Sequence, residues 1–415
     1  MIEPDADAAV DRAHRDEWAR MVAGLARRFG DLDLAEDAAA EAFVAAVERW
    51  GRDGVPPNPG GWLTTTATRK ALDRVRREAQ RHRKYRAAHM LSEDVSPEPT
   101  GPVGDDRLRL IFTCCHPALA VEARVALTLR MMGGLSVAEI ARAFLVPEST
   151  MAQRITRAKT KIRTAQIPYR MPSPGDLHER LAGVLAVIYL VFNEGYLATA
   201  GDDPLRPDLV DEAIRLGRAL HELLPDEGEV TGLLALMLLT DARRAARVSR
   251  TGELVTLEEQ DHGAWDRALI AEGHALVRER IAAVAAGGPP PGQYQLLAAI
   301  NAVHTDARSS RDTDWSQIVA LYDRLLRIDA SPIVRLNRAV ALAEVDGPDV
   351  ALAEVERVAA VLDGYHALHA TRADLLRRLG RSAEAQAAYE RAIELAGNSA
   401  ERMYLTRWRD QLGRA

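Results

Sequence analysis

The sequence predicts an all-α protein: two small helical domains followed by a long helical extension. Three observations predict it. Ala, Leu, Arg and Glu dominate the 415 residues while aromatics make up only 5%, and those four are good helix formers. Apolar residues recur at helical spacing between Gly- and Pro-rich breaks. Near the C-terminus a pattern of small and large apolar residues repeats at the same interval. Hydrophobic residues make up 47% of the chain, enough for the cores of two to four domains.

Taken in order, residues 8–50 read as helices. Trp18, Met21, Val22, Leu25 and Phe29 share one helical face. Asp31–Leu34 is a polar break with Asp33 as the expected N-cap, and the helix after it places Leu34, Ala38, Phe43 and Val47 near one face. Gly51–Gly61 holds three prolines and four glycines and reads as a loop. A third helix is expected from Gly61 to Ala88. Residues 91–104 are apolar-poor and rich in Pro, Glu, Asp and Ser, the composition of a flexible linker. This bounds a first domain at 8–90 and a second at 105–166. A further break at Ile167–Gly175 precedes the extension, 176–415, which a Gly/Pro tract at Gly287–Gly292 divides.

Residues 1–170 contain 27 Lys+Arg against 23 Asp+Glu, net +4, leaving 27 against 37, net −10, for the remainder of a chain whose total is −6. A basic front on an acidic back points to a nucleic-acid partner for the front. The two cysteines are adjacent, Cys114 and Cys115, so no disulfide framework exists and a reducing, cytoplasmic compartment is expected. The longest apolar run, Leu181–Phe192, is far short of the ~20 residues a membrane helix needs, so no membrane association is expected.

Three segments carry the functional signal. In Leu135–Arg163, Ser136 and Glu139 form a capping box before a short helix with Ile140, Ala141 and Phe144 inward. Val146-Pro147 then starts a longer helix with Met151, Ile155, Ala158 and Ile162 on its core face. Its other face shows Ser149, Thr150, Gln153, Arg154, Arg157, Lys159 and Lys161. That is the layout of a helix-turn-helix, whose second helix reads base edges with its N-terminal residues and neutralises phosphates with its basic tail. A solvated basic helix is the plainer alternative. Trp62–Arg86 holds nine Lys/Arg against Asp73 and Glu78, net +7, a helix suited to a phosphate backbone. Trp62, at its start, either packs in the core or abuts an unstacked base. Asp33–Trp50 carries Glu36, Asp37, Glu41 and Glu48 opposite an apolar face, which by itself is ordinary amphipathicity.

Occurring together in this order, these segments resemble the extracytoplasmic-function sigma factors of the sigma-70 family over residues ~8–165. The resemblance implies that DLAEDAAAEAF binds core RNA polymerase, with Asp37, Glu41 and Phe43 in that role. It implies that WLTTTATRKALDRVRRE opens the promoter −10 element, with Trp62, Arg69, Arg74, Arg76 and Arg77 at DNA and Asp73 ordering the arginines. It implies that the helix-turn-helix reads the −35 element through Ser149, Thr150, Gln153, Arg154 and Arg157. Ala40, Lys70 and Leu145 depart from the usual Gln, Asn and Gly of these motifs. FNEGY at Phe192–Tyr196 and MLLTDARRAAR at Met237–Arg247 are similar to a subgroup with a tetratricopeptide-like C-terminal extension. The implied partners are core RNA polymerase and promoter DNA, with no cofactor, metal or catalytic residue.

In the extension, Ala339, Leu342, Ala351, Val355 and Val358 recur 34 residues on as Ala373, Leu376, Ala385, Tyr389 and Ala392. This is the tetratricopeptide period, near 331–398, with Gly380 at an inter-helix turn. Such units build a surface for a peptide or a partner protein. The extension is therefore expected to control the front half from within the chain or to dock a signalling protein. His116 beside the cysteine pair lacks the C-x2-C spacing of zinc sites and is expected in a buried helix. Asn193, Glu194, Asp202, Asp203 and Asp208 are interleaved with Gly and Pro and are expected to cap and turn, with Arg243 and Arg244 as ion-pair partners. The competing reading is a helix-turn-helix regulator with a ligand- or protein-sensing helical domain, which leaves the acidic helix and the first basic helix without a role. No phosphate loop or nucleophile motif supports an enzyme.

Overall fold

In the computed structural model the structure describes residues 6–86, 106–144, 146–197, 205–249 and 252–412, whose regular elements are all helices joined by turns and loops, with one isolated antiparallel bridge, Val248 to Leu254. They divide into two units, residues 1–188 and 189–415. The linker expected at 91–104 and the turn residue Leu145 lie outside the described residues.

Unit 1 starts with α1 (Ala6–Phe29), which buries Trp18, Met21, Val22 and Leu25 as the spacing predicts. It stops at Gly30, whose φ of +69° a glycine adopts without steric cost. α2 (Leu32–Asp53) is capped by Asp31, not Asp33: Asp31 Oδ1 accepts from the Asp33 and Leu34 amides at 2.8 and 3.0 Å. Two acids within the first turn compete for the cap, and only Asp31 stands outside the helix with extended backbone. The Asp33 carboxylate thereby stays available to a second element.

α3 (Pro59–Arg86) starts earlier than expected, because the Gly61 amide donates to Asn58 Oδ1 at 2.9 Å and Pro fits a first helical turn. Leu63, Ala67 and Ala71 form its buried stripe, and the two alanines let α3 approach α1 and α2 closely. The loop expected over 51–61 shortens to residues 54–58.

The second half of unit 1 contains α4 (Asp106–Cys114), α5 (Val121–Thr128), a π turn (Leu129–Gly133), α6 (Val137–Ala143) and α7 (Glu148–Thr164). The capping box at the start of α6 forms in both directions. The Ser136 amide donates to Glu139 Oε2 at 2.7 Å, and the Glu139 amide donates to Ser136 Oγ at 3.2 Å. α7 buries Met151, Ile155, Ala158 and Ile162, the expected core stripe. α8 (Pro174–Tyr196) runs across the division between the units.

Unit 2 continues with α9 (Pro207–Leu223), α10 (Gly228–Asp241), the single turn α11 (Arg244–Arg247), α12 (Arg267–Ala285), α13 (Gln293–Asp306) and α14 (Trp315–Leu325). α10 is buried from Val230 to Asp241, the central helix around which α9, α12 and α13 pack. The glycine of FNEGY has a packing reason: a Cβ on Gly195 would lie 2.7 Å from the Val210 amide nitrogen and 2.9 Å from the Arg206 carbonyl. α15 (Pro332–Val345), α16 (Pro348–Val358), α17 (His366–Arg378), α18 (Ser382–Leu395) and α19 (Ser399–Leu412) close the chain. α17 and α18 begin 34 residues after α15 and α16, and all ten repeat positions from Ala339 to Ala392 are buried in one core. Gly380, at φ +72°, makes the turn between α17 and α18.

Candidate nucleic-acid interface

The basic face of α7 emerges largely as its period dictates. Ser149, Thr150, Gln153 and Arg157 are exposed on one side, Arg154 is half-buried at the edge, and Lys161 and Arg163 extend the exposed basic tail. Lys159 does not belong to this face. Its side chain is only 11% exposed, with Nζ 2.8 Å from Asp33 Oδ1 and a second, shorter contact to Glu36 Oε2. Burial opposes its charge, yet Glu36 and Asp33 hold the Lys159 ammonium above its ordinary pKa.

On α3, residues 62, 69, 73 and 76 fall within one narrow sector of the helix. Arg69, Asp73, Arg76 and the neighbouring Arg77 are exposed there, and Trp62 is half-buried, edge-on to Trp50 at 5.6 Å. Asp73 lies 3.7 Å from Arg76, and Arg77 Nε donates to its backbone carbonyl at 3.3 Å, so the acid stands among the arginines as expected. Arg74 leaves this group: its Nη1 is 2.6 Å from Asp37 Oδ2 on α2, and Lys70 Nζ is 3.4 Å from Glu41 Oε2. These solvated pairs contribute at most about 1 kcal/mol each. Their consequence is positional, since they orient α3 along α2.

α2 differs from the sequence expectation on two residues. Phe43, which the resemblance gives to the polymerase-binding set, is buried against His14 and Trp18, with ring centroids at 4.8 and 6.0 Å, and supports the helix from inside. Val47, expected inward, is 57% exposed, and Val44 is 58% exposed. Asp37, Glu41, Val44 and Glu48 lie in one sector with Ala40 and Val47 flanking it. The result is an acidic stripe with an apolar centre. Exposed valines within a helical periodicity were the available signal, but periodicity alone does not say which apolar face is covered.

The remaining candidates are structural. Cys114 and Cys115 are buried, and burial pushes both thiols up, Cys115 to about 11. Neither offers a thiolate at neutral pH. Among the described residues no group of three or more His, Cys, Asp or Glu side chains is arranged to hold a metal ion. Arg244 bridges Asp241 and Asp211, each at 2.6 Å, and Arg243 Nη2 donates to Asn301 Oδ1 at 3.0 Å, so these contacts go to residues of α9, α10 and α13 other than the acids the sequence suggested. Asp202 and Asp203 lie outside the described residues.

The matches to known families fall on these same elements. Residues 15–81 match sigma-70 region 2, residues 109–162 match sigma-70 region 4, and residues 180–281 match a family of unknown function, DUF6596. The RNA polymerase sigma factor SigK of Mycobacterium ulcerans, an extracytoplasmic-function (ECF) factor, is 30% identical over 170 residues, 37% of this chain and 88% of its own length. The chain belongs to the extracytoplasmic-function sigma factors. SigK of Mycobacterium tuberculosis (strain H37Rv) is 30% identical over 162 residues, 38% of this chain and 86% of its own. An uncharacterised protein of Rhizobium meliloti is 44% identical over 395 residues, 94% of this chain and 92% of its own, so this sigma factor shares its extension with a relative. No solved structure matches the chain. No helix among the described residues is long and apolar enough to cross a membrane.

Proposed function

We propose that this sigma factor binds core RNA polymerase through the α2 stripe of Asp37, Glu41, Val44 and Val47, engages the −10 element with the α3 face of Trp62, Arg69, Arg76 and Arg77, and reads the −35 element with Ser149, Thr150, Gln153, Arg154 and Arg157 at the start of α7. One observation carries the reading. Three helices that the sequence marks as functional each present an exposed face, and the three faces differ in chemistry: acidic-apolar on α2, aromatic-basic on α3, polar-basic on α7. The first suits a protein partner, in which a few apolar anchors dominate binding. The other two suit nucleic acid, in which phosphate contacts position and polar side chains specify. The test replaces Val44→Asp together with Glu41→Arg. Altering two central side chains lowers affinity for core polymerase by on the order of thirtyfold or more while binding of a −35 duplex stays unchanged. Unaltered co-purification with core polymerase refutes the assignment of α2.

Unit 2 acts as a regulatory or docking domain for this activity. Its support is the acidic balance of the chain after residue 170, net −10, and the paired helices α15–α18, a stacked architecture that elsewhere holds peptides or proteins. Truncation after Leu197 should change the yield of promoter-dependent transcripts with core polymerase; equal yield from the truncated chain refutes this role.

A further inference from the structure

We infer that unit 2 carries a binding site for a small carboxylic acid with an apolar body, in a cavity between α10, α12, α13 and α14 that is lined by Arg280 and Arg324. The site belongs to unit 2 alone and does not depend on how that unit acts on transcription.

Helical spacing builds the cavity. α12 contributes Val277, Arg280, Ile281 and Val284, and α14 contributes Gln317, Leu321 and Arg324, each set lying along one helix face. α10 and α13 contribute small residues instead, Gly232 and Ala235 from the first, Ala298 and Ala299 from the second. Large side chains on two helices and small ones on the other two leave a void of about 290 Å³, near the lower end of the range for small-molecule sites. The Gly/Pro tract that divides the extension finds its place here, because it leads from α12 to α13 and sets Pro291 in the wall. Apart from the arginines, the polar side chains of the lining are Thr231, Gln295 and Gln317, all uncharged.

Two cations without acids set the chemistry. Arg280 Nε donates to Gln295 Oε1 at 3.3 Å, and Gln295 Nε2 donates in turn to Glu229 Oε1 at 3.2 Å. Glu229 also accepts from the Tyr294 and Gln295 amides at 3.0 and 3.3 Å, so its carboxylate closes the start of α13 and reaches Arg280 only through Gln295. A Cβ on Gly228 would lie 2.8 Å from Arg280 Nη2, so this glycine clears the place that the guanidinium occupies. Among the described residues neither Arg280 nor Arg324 is ion-paired, and no acid lines the cavity. Acids are not scarce: the chain after residue 170 holds 37 against 27 Lys+Arg. α12 and α14 supply carboxylates themselves, Glu272 and Asp323, but these pair with Arg218 and Arg338 of other helices, each at 2.7 Å. A guanidinium offers a carboxylate two parallel N–H bonds, and the apolar wall covers what the carboxylate is attached to. A sugar phosphate would bury hydroxyls against that wall without partners. At ~30 Å³ per non-hydrogen atom the void holds roughly ten, the size of an eight-carbon acid.

The test titrates the full chain with octanoate, octanol and acetate and follows hydrogen exchange of α10 and α12–α14, which a bound ligand slows. Octanoate slows it saturably. Octanol, with the same body and no charge, binds at least about tenfold more weakly, as does acetate, with the charge and almost no body. Arg280→Ala and Arg324→Ala each weaken octanoate about tenfold or more. Ile281→Glu, at a position already 61% exposed, does the same by adding a carboxylate to the lining. Arg324 and Ile281 are both exposed, so a loss in those variants cannot be dismissed as misfolding. Arg327→Ala, an exposed arginine outside the cavity, leaves octanoate binding unchanged. Exchange that octanoate does not slow overturns the site. Equal affinity for octanoate and octanol overturns the role of the arginines, as does octanoate affinity unaltered in both arginine variants. A loss in Arg327→Ala as large as in Arg324→Ala shows attraction to the surface at large and overturns the cavity as the place of binding.

Discussion

A close helix approach in unit 2 offers a prediction with an internal control. A Cβ placed on Gly232 of α10 would lie 2.6 Å from the Gln295 amide nitrogen and 2.9 Å from Gln295 Cα on α13. Both are backbone atoms of a packed helix, so neither yields cheaply. Overpacking of this kind costs ~1–3 kcal/mol, and a clash against main chain belongs at the upper end. Replacing a helical glycine by alanine returns ~1 kcal/mol of backbone entropy. Gly232→Ala should therefore destabilise α10 and α13 by ~2 kcal/mol net. Gly183, on α8 in unit 1, has nothing within 4 Å of its ideal Cβ, so Gly183→Ala should stabilise its helix by ~1 kcal/mol. Two units need not unfold in one step, so the assay is native-state hydrogen exchange read peptide by peptide. Protection of α10 and α13 should fall by ~30-fold in the first variant, and that of α8 should rise several-fold in the second. If Gly232→Ala gains stability as Gly183→Ala does, α10 and α13 do not approach as described.

Two further predictions concern the site and pH. Arg157→Ala, on the exposed face of α7, should weaken binding of any −35 duplex and reduce the dependence of log K on log salt by ~0.9, the share of the single phosphate that this arginine neutralises; an unchanged slope assigns Arg157 elsewhere. Burial, reinforced by Arg243, pulls His304 down to about 4 from its usual 6.5. Because the folded pKa is depressed, the unfolded chain binds this proton first as pH falls, and unit 2 should lose roughly 3 kcal/mol between pH 6.5 and 4. His304→Phe, which keeps a ring against Trp315, should flatten that part of the stability–pH curve; an equally steep curve in the variant removes His304 as the cause.

Local signals were legible wherever the physics is local. The capping box of Ser136 and Glu139 satisfies two amides within one turn, so four residues suffice to announce it. The α7 core stripe and the interval between α15–α16 and α17–α18 are periodicities, and both appear where the spacing put them. The errors have a common form. Asp31 and Asp33 are equivalent cap candidates until the backbone chooses between them. Phe43 and Val47 share one amphipathic helix, and only the neighbours α1 and α3 decide that one is covered and the other bare.

Lys159 shows the division most clearly. The sequence by itself determined that α7 is a helix with an apolar stripe and a basic remainder, because a repeat of 3.6 residues needs no partner to express it. It also determined the order of acidic, basic and helix-turn-helix segments by which the family is recognised. Only the tertiary structure decided that Lys159, at the margin of the basic face, turns away from solvent to Asp33 and Glu36. The reason is physical. Helical periodicity specifies directions around one axis, whereas the burial and pairing of a charge depend on a second element brought alongside from more than a hundred residues away.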